Sequence, residues 1–221
     1  MPSKNRIKQY SEGGHYHLYN RGAEKRPIFH DQQDYSVFLS YLKEYLTPKD
    51  TPALFQKLTD RRVPPPEKEK TRKKIKLNNF SGEITLLTYC LMPNHFHLLI
   101  KQKGSGSIDK FMNSLGTRYT MYFNKKYKRV GPLYQGVYKA ILVSTDEYLL
   151  HLSRYIHRQA GHGQPSSYPY YISSQQTEWV NPEEILIFFS KNNPKLSYKS
   201  FVTEDDNLDF LYDYTLEEQP Q

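Results

Sequence analysis

The chain has 221 residues, of which 37% are hydrophobic, and its net charge is +8. That length can bury a core without cross-links, and the single cysteine, Cys90, excludes an intramolecular disulfide. The N-terminus is polar and basic, and no apolar run approaches 18 residues, so we expect neither a signal peptide nor a membrane span. A soluble protein of the cytoplasm with no membrane partner is therefore predicted.

The charge is unevenly distributed along the chain. Residues 201–221 contain seven Asp and Glu and no Lys or Arg, whereas the first 200 residues carry 31 Lys and Arg against 16 Asp and Glu, a net charge of +15. A basic body with an acidic tail favours a polyanionic partner, nucleic acid before membrane, although it is also compatible with a generally basic protein. The 20 tyrosines add weight to this interpretation, because aromatic faces among cations suit unpaired bases.

The first third of the chain predicts a strand, a helix and an insertion. Polar and apolar residues alternate in GGHYHLYNRG (Gly13–Gly22), which indicates a strand. Apolar residues at helical spacing follow an aspartate cap in Asp31–Leu46. The next stretch, roughly 47–79, is rich in proline, lysine and arginine and contains three consecutive prolines. It is interpreted as a solvated loop, with contact to DNA phosphates as a further role.

The middle of the chain predicts a hairpin. GEITLLTYCLM (Gly82–Met92) and HFHLLIKQ (His95–Gln102) have strand composition, and Pro93 with Asn94 supplies the turn between them. A flexible GSGS linker follows, and Ser107 is predicted to cap a helix whose apolar face runs from Ile108 to Phe123.

The remaining elements complete the pattern. GPLYQGVYKAILVS (Gly131–Ser144) predicts an extended fourth strand, and STDE (Ser144–Glu147) predicts a capping box that opens the helix Glu147–Ala160. Beyond residue 160 the sequence is less informative: SSYPYYI indicates a loop and NPEEILIFFS a short capped helix.

The first six elements follow the order β-α-β-β-α-β, which predicts an α+β fold with a ferredoxin-like antiparallel sheet and helices on one face. We expect one domain over residues 1–160, with the basic insertion at about 47–79. Residues 161–221 are expected to form a C-terminal extension with an acidic tail.

Two histidines on the predicted third strand are candidate metal ligands. His95 and His97 project from the same face because side chains alternate along a strand, and Phe96 projects from the other. Two imidazoles at this spacing can bind a divalent ion. Two buried, hydrogen-bonded histidines are the plainer alternative. His15 and His17 have the same spacing, and we interpret that pair as structural or DNA-facing.

A second candidate feature lies on the last predicted helix. Tyr155 and Gln159 are four residues apart, so they share one helical face. The carbonyl oxygen of a glutamine can complete a metal shell, and a tyrosine beside it can act as a nucleophile on phosphate. Core packing explains such a pair equally well when the helix is considered alone.

Both features together resemble a known family. YCLMPNHFHLLI (Tyr89–Ile100) resembles the His-hydrophobic-His metal motif of the HUH nucleases. The sequence is similar, more closely, to the single-tyrosine transposases of the REP-associated type, relatives of the small insertion-sequence transposases. The similarity continues in YHLYNRGAEKRPIFHDQQDYSVFLSYL, in SIDKFMNSLGTRYTMYFNKKYKRVGPLYQGVYKA and in DEYLLHLSRYIHRQA. It spans roughly His15 to Ala160 apart from the insertion.

The resemblance implies roles for four residues and an HUH nuclease fold. His95 and His97 correspond to the paired metal ligands, Tyr155 to the nucleophile, and Gln159 to a third metal ligand. Many REP-associated members have Asn-Pro where this chain has Gln159-Ala160, and glutamine is what the insertion-sequence branch uses. The implied cofactor is Mg²⁺ or Mn²⁺.

The implied function is a single-stranded DNA endonuclease and strand transferase, cutting at or near hairpins through a 5′-phosphotyrosine intermediate. DNA would lie across an open face of the sheet, and its hairpins could be repeated palindromic elements. Expected phosphate contacts are seven basic residues: Arg118, Lys125, Lys126, Lys128, Arg129, Arg154 and Arg158. We expect a nucleoid-associated monomer rather than a helix-exchanged dimer. The acidic tail is interpreted as disordered and solubilising, with a DNA mimic as the alternative.

Three other functions are compatible with the residues. The chain could be a non-catalytic hairpin-DNA-binding protein, a metal-dependent hydrolase that uses water, or an RNA-binding α+β domain. The last would need exposed aromatic residues on the central strands, where this chain has His95 and His97. The sequence gives neither the DNA target nor the cleavage position.

Overall fold

The sheet of the protein has the predicted antiparallel order. The structure is a computed structural model, and it describes residues 10–160 and 163–204. The described strands pair in the order β2-β3-β1-β4, all antiparallel, which is the ferredoxin-like arrangement that the sequence predicted. Their bounds are β1 His15–Arg21, β2 Ile84–Met92, β3 His95–Gln102 and β4 Lys139–Val143.

The described helices precede, connect and follow these strands. Three lie between β1 and β2, one between β3 and β4, and the rest follow β4; short 3-10 turns occur at Ala23–Lys25 and Pro194–Leu196. None is long and apolar enough to cross a membrane within the part of the chain that the structure describes. The helices are α1 Gln32–Leu46, α2 Thr51–Thr59, α3 Pro65–Lys76, α4 Ser107–Lys126, α5 Asp146–Gln159, α6 Tyr168–Ile172, α7 Glu183–Leu186 and α8 Tyr198–Thr203.

The first face of the sheet packs against α1 and α4. Phe96, Leu98 and Ile100 project from β3 into this core, as the alternation predicted. The apolar face of α4, which includes Phe111 and Tyr119, is buried against the same side. This layer forms the larger of the two hydrophobic clusters and holds the central strands in place.

Helices cover the second face of the sheet as well, which the prediction of helices on one face did not include. Leu99 of β3 projects to this side and packs with Leu152 and Ile156 of α5. Tyr198 and Val202 of α8, in the C-terminal extension, join the same cluster. The physical reason is visible in the sequence, because the consecutive residues Leu98, Leu99 and Ile100 place apolar side chains on both faces.

The predicted loop at 47–79 contains two helices, so the loop interpretation was wrong. The side chain of Asp50 caps α2 by accepting from the N–H of Ala53. Pro65 and Pro66 occupy the first turn of α3, where a missing N–H breaks no helical hydrogen bond. The prolines therefore begin a helix. An ion pair of 3.0 Å between Lys57 and Glu67 joins α2 to α3.

Several element ends also differ from the prediction. Thr145, and not Ser144, caps α5, through a hydrogen bond from the N–H of Tyr148. Ser107 lies inside the first turn of α4 instead of capping it, and its hydroxyl donates to Glu83. The fourth strand begins only at Lys139, so residues 131–138 are outside it.

The C-terminal extension is partly helical. SSYPYYI was predicted to be a loop, but its last five residues form α6, whereas a short helix in NPEEILIFFS is confirmed as α7. Apart from Glu204, which is exposed, the acids of the predicted tail lie in 205–221, outside the described residues. The structure therefore does not address the tail as a solubilising segment or as a DNA mimic.

Candidate active site

The candidate site lies on the second face of the sheet, where β1 and β3 meet. The β1–β3 register places Tyr19 opposite His97 and Arg21 opposite His95. Side chains directly opposite in a sheet share a face, so His17, Tyr19 and Arg21 of β1 lie on the side of the two candidate ligands. The site is thus built from two neighbouring strands rather than from the β2–β3 hairpin alone.

His97 is completely buried and is oriented by His17. Nδ1 of His97 lies 2.9 Å from Nε2 of His17, and both side chains are 0% exposed. The two rings are stacked at 5.1 Å between centroids. Nε2 of His97 is buried and has no hydrogen-bond partner among the described residues. Such an atom is costly unless something binds it.

His95 is held by the residue that precedes it. Nδ1 of His95 lies 2.6 Å from Oδ1 of Asn94, and the amide of Asn94 donates to the carbonyl of Lys25. That second bond makes Oδ1 the acceptor, so His95 donates from Nδ1 and its Nε2 carries the lone pair. The rings of His95 and His97 are 5.0 Å apart and nearly perpendicular.

Both histidines are in the neutral form that binds metals. Burial, together with the nearby Arg21, lowers the pKa of His95 to about 4. Burial also lowers the pKa of His97 well below its ordinary value, with contributions from His17, His95 and Arg21. An imidazole must be unprotonated to act as a ligand, so the buried environment favours the ligand state at neutral pH.

Tyr155 lies against His97. Its ring centroid is 5.7 Å from that of His97, at an interplanar angle of 85°. The apolar stripe of α5, which contains Leu149, Leu152 and Ile156, packs on the sheet and turns the tyrosine towards β3. The side chain of Tyr155 is 7% exposed. The structure therefore brings together His95, His97 and Tyr155, as the sequence predicted.

Gln159 lies one turn beyond Tyr155 and is half-buried. Its end of α5 faces the β2–β3 turn, because Ala160 packs into the cluster of the second face and the N–H of Leu91 donates to Pro165. His95 begins β3 at that same turn. The role of Gln159 as a third metal ligand remains a prediction.

The side chains of the site fit a divalent metal that takes two ligands from histidines and a third from a residue that is neither a histidine nor an acid. Residues 10–160 and 163–204 contain no group of three His, Cys, Asp or Glu that could hold a metal ion. Two neutral imidazoles, one with an unpartnered buried Nε2, supply two donors of the right kind. The carbonyl oxygen of Gln159 is the predicted source of a third.

Arg154 has a structural position that is incompatible with its predicted contact with DNA phosphate. The side chain is 0% exposed, its guanidinium donates to the carbonyl of Phe201, and it lies 4.4 Å from the centroid of the Phe201 ring. Nη2 of Arg154 is also 2.9 Å from Nδ1 of His151. The residue fastens α8 onto α5, and so supports the helix that carries Tyr155.

Two further predicted phosphate contacts are already paired with carboxylates. Arg118 forms a 2.7 Å ion pair with Glu44 and stacks 3.8 Å from the ring centroid of Tyr41. Lys126 forms 2.7 Å ion pairs with Asp31 and Asp34. Both belong to the α1–α4 layer, on the face opposite the candidate site. To bind DNA, Arg118 and Lys126 would have to exchange these carboxylate partners for phosphate groups.

The other four predicted contacts keep accessible surface. Lys125 and Lys128 are exposed, while Arg129 and Arg158 are half-buried. Arg129 donates to the side chain of Asn124, and Arg158 donates to the carbonyl of Glu204 at 3.4 Å. Their role as phosphate contacts stays a prediction.

The sequence analysis missed two residues of the site. His17 was interpreted as structural or DNA-facing, whereas it contacts the candidate ligand His97. Arg21 was not considered, yet the register places it opposite His95. The alternation in GGHYHLYNRG puts both residues on one face of β1, which was the available signal. Nothing in the sequence indicated that this face would meet that of His95.

Access to the site is narrower than expected. DNA was predicted to lie across an open sheet face, but α5 and the C-terminal helices cover that face. His97 and Tyr155 are buried, whereas His95 is half-buried at the end of the sheet. A strand of DNA would therefore approach at the β2–β3 turn, or after local opening of this cover.

Comparison with known families finds one similarity to this chain. Residues 62–159 match the family model described as "Transposase IS200 like". The match confirms the resemblance that the sequence indicated, over the stretch that contains His95, His97, Tyr155 and Gln159. It begins within the α2–α3 region and leaves out β1, which supplies His17 and Arg21. The comparison with curated proteins found no match.

Two solved structures are similar at low identity. A REP-associated tyrosine transposase bound to a REP hairpin is 10% identical, with a TM-score of 0.43 and coverage of 74% of each chain. A protein from Deinococcus radiodurans R1, provisionally described as a transposase, is 15% identical with a TM-score of 0.29. That alignment covers 72% of this chain and 97% of the other. Neither likeness is close enough to extend a ligand or an activity to this chain.

Proposed function

We propose that this transposase-like domain cuts and rejoins single-stranded DNA beside hairpins, using Tyr155 as the nucleophile and a divalent metal held by His95, His97 and Gln159. The observation that carries the proposal is the contact between Tyr155 and His97. A tyrosine ring lies 5.7 Å from the ring of a buried histidine whose Nε2 has no partner among the described residues. A buried nitrogen without a partner is costly, and a metal bound to it would offset that cost.

The metal, Mg²⁺ or Mn²⁺, would neutralise charge on the scissile phosphate and polarise it towards attack. Two features of the chain favour metal binding. Burial keeps both imidazoles neutral, and the hydrogen bond to Asn94 leaves Nε2 of His95 available for the metal. Imidazole ligands favour Mn²⁺ relative to Mg²⁺, whereas phosphate and amide oxygens suit both ions.

Tyr155 performs the covalent step. The proton of its hydroxyl leaves as the oxygen attacks phosphorus. A bond forms between phosphorus and the tyrosine oxygen, and the bond from phosphorus to the 3′ oxygen breaks. The 3′ oxygen takes up a proton. One strand end is then a free 3′-hydroxyl, and the other is a 5′-phosphotyrosine on Tyr155.

The same chemistry run backwards joins strands. A 3′-hydroxyl can attack the phosphotyrosine and release Tyr155 without ATP, because the link conserves the energy of the phosphodiester bond. The position of Tyr155 supports this use, since the burial of its helix between the sheet and α8 keeps it beside the phosphate after cleavage. A water-using hydrolase would have no need of a fixed tyrosine there.

Exposed cations would hold the DNA outside the cleavage site. Lys125 and Lys128 remain candidates at the end of α4. The helix α3 adds a second basic surface, because four of its lysines are exposed. These lysines are Lys70, Lys73, Lys74 and Lys76. Their charges suit the phosphates of a hairpin stem.

A denaturing gel tests the proposal directly. The protein is mixed with labelled single-stranded oligonucleotides that contain hairpins from the DNA flanking its own gene, with Mn²⁺, and is compared with Tyr155→Phe. We expect a label that migrates at the mass of the protein for the unmodified chain and is absent for the variant. Tyr35→Phe, another buried tyrosine, serves as the matched control and should retain the label.

The other functions give different gels. Cleavage without a shifted label, surviving in Tyr155→Phe, would show a hydrolase that uses water. Tight binding with neither cleavage nor shift, over a range of hairpins and with either metal, would favour a binding protein without catalysis.

A further inference from the structure

We propose that Arg21 forms a binding site for the phosphodiester group that is cut, next to the metal ligands. The inference rests on the proposed function and adds a residue that neither the family match nor the sequence motifs assign. It concerns the chemistry of one anion, a phosphate of the DNA backbone, and one cation of the chain.

The position of Arg21 comes from the sheet register. Arg21 ends β1 directly opposite His95, and directly opposite side chains in a sheet lie about 4.5–5.5 Å apart at their Cβ atoms. Arg21 is on the face of His95 and His97, since it follows His17 and Tyr19 at intervals of two along β1. The guanidinium therefore lies within the site and at its more open end.

The side chain of Arg21 is poorly satisfied by protein groups. Among the residues that the structure describes, its buried Nε has no hydrogen-bond partner and no carboxylate forms an ion pair with it. Arg118, by contrast, has a carboxylate partner in Glu44 and stacks on the ring of Tyr41. A half-buried guanidinium without a carboxylate partner has a free-energy cost, and an anion that accepts hydrogen bonds from it would offset that cost.

A cation beside two metal ligands would oppose metal binding unless an anion lies between them. Arg21 lies directly opposite His95 and on the same face as His97, so its positive charge is close to both ligands. A phosphodiester resolves the conflict, because its non-bridging oxygens can accept from the guanidinium and face the metal at once. The arrangement therefore favours the binding of DNA and metal together over the binding of metal alone.

Arg21 also suits the covalent step. When the oxygen of Tyr155 attacks phosphorus, negative charge accumulates on the non-bridging oxygens, and guanidinium N–H groups that donate to them stabilise this charge more than that of the ground state. Arg21 takes no proton and forms no covalent bond. Its contribution is the binding and stabilisation of the phosphate.

Arg21→Gln and Arg21→Lys test the assignment, with Lys110→Gln as the control, because Lys110 is an exposed cation on α4 in the layer that covers the opposite face. Three quantities are measured: the affinity for a short oligothymidylate in the Tyr155→Phe background, the single-turnover cleavage rate, and the affinity for Mn²⁺ without DNA. We expect Arg21→Gln to bind the oligonucleotide at least tenfold more weakly and to cleave about 10²- to 10³-fold more slowly. Arg21→Lys should recover binding more than rate, since lysine keeps the charge but loses the planar donors.

The Mn²⁺ measurement separates a phosphate contact from a structural role. Loss of a neighbouring cation should leave the Mn²⁺ affinity of Arg21→Gln equal to or higher than that of the unmodified protein, whereas damage to the site would lower it. Unchanged oligonucleotide binding and cleavage in Arg21→Gln, or reduced Mn²⁺ affinity with reduced melting temperature, would overturn the proposal. If no Tyr155-dependent cleavage occurs but oligonucleotide binding still depends on Arg21, the phosphate site stands and the proposed nuclease function fails.

Discussion

Replacement of His17 tests whether β1 sets the chemistry of the metal ligand on β3. The hydrogen bond of 2.9 Å between Nε2 of His17 and Nδ1 of His97 has two proton arrangements. Nε2 of His97 keeps its lone pair for a metal only when His97 donates and His17 accepts. We expect that arrangement in the metal-free protein, because the opposite one would bury an N–H at Nε2 with no acceptor among the described residues.

His17→Phe removes the acceptor and keeps an aromatic ring. The ligand-competent tautomer of His97 then loses one buried hydrogen bond, worth about 1–2 kcal/mol, which corresponds to roughly 5- to 30-fold in affinity because about 1.4 kcal/mol is tenfold. Outer partners of metal-binding histidines are generally worth about 10- to 100-fold. We therefore expect Mn²⁺ to bind about tenfold more weakly.

Titration calorimetry with Mn²⁺ measures this change, and two variants control it. His17→Gln can place an amide oxygen near the former position of Nε2 and should recover much of the affinity. His15→Gln alters the other histidine of β1, which pairs with Glu184 at 2.9 Å, and should bind Mn²⁺ like the unmodified chain. Unchanged affinity in His17→Phe, or equal losses in His17→Phe and His15→Gln, would refute the reasoning.

Three further outcomes are expected. Deletion of 205–221 should leave the melting temperature unchanged, whereas deletion from Phe201 should lower it, because Arg154 would lose its carbonyl acceptor and its ring partner; equal melting temperatures would contradict the role of α8. Asp34→Asn should cost about 3 kcal/mol, and roughly 6–12 °C in melting temperature, since Asp34 is completely buried and paired with Lys126. Burial raises the pKa of Asp34, but hydrogen bonds from Lys126 and other donors outweigh burial and lower it, so this stability is fully present above about pH 4 and is lost as the pH falls through the lowered pKa; a difference between the two proteins that does not shrink as the pH falls below about 4 would contradict it. Replacement of four exposed lysines of α3 by glutamine should weaken the salt dependence of hairpin binding. The slope of log affinity against log salt concentration should become shallower by about 0.9 for each DNA phosphate that the variant no longer neutralises. Fluorescence anisotropy compares the test set, Lys70, Lys73, Lys74 and Lys76, with a control set of other exposed lysines, Lys103, Lys110, Lys195 and Lys199.

Local periodicity explains why much of the fold was predictable. The strand HFHLLIKQ, the helix behind Asp31 and the apolar face of the α4 helix all depend on side-chain alternation or helical spacing within one segment. The errors also have local causes. Pro64 to Pro66 were interpreted as a break, although a helix accepts proline in its first turn. No residue of α2 is buried and α3 buries Thr71, so neither helix has a buried apolar stripe that periodicity could reveal.

Cationic side chains were the least predictable part of the site. Arg154, Arg118 and Lys126 have the same character in the sequence as Lys125, yet the structure buries the first and pairs the next two with carboxylates. A charge near a catalytic motif can bind phosphate or fasten a helix, and the choice depends on which acids and carbonyls from distant segments reach it. Those partners lie tens of residues away in the chain.

The sequence by itself determined that His95 and His97 share a face, that Tyr155 and Gln159 share another, and that these motifs match a transposase family, because each depends on spacing within a few residues. Only the tertiary structure decided which faces meet. His17 contacts His97, and Arg21 lies beside His95, through the pairing of β1 with β3 across about 80 residues of chain. That register results from the packing of the whole sheet between two layers of helices, and no short stretch of sequence encodes it.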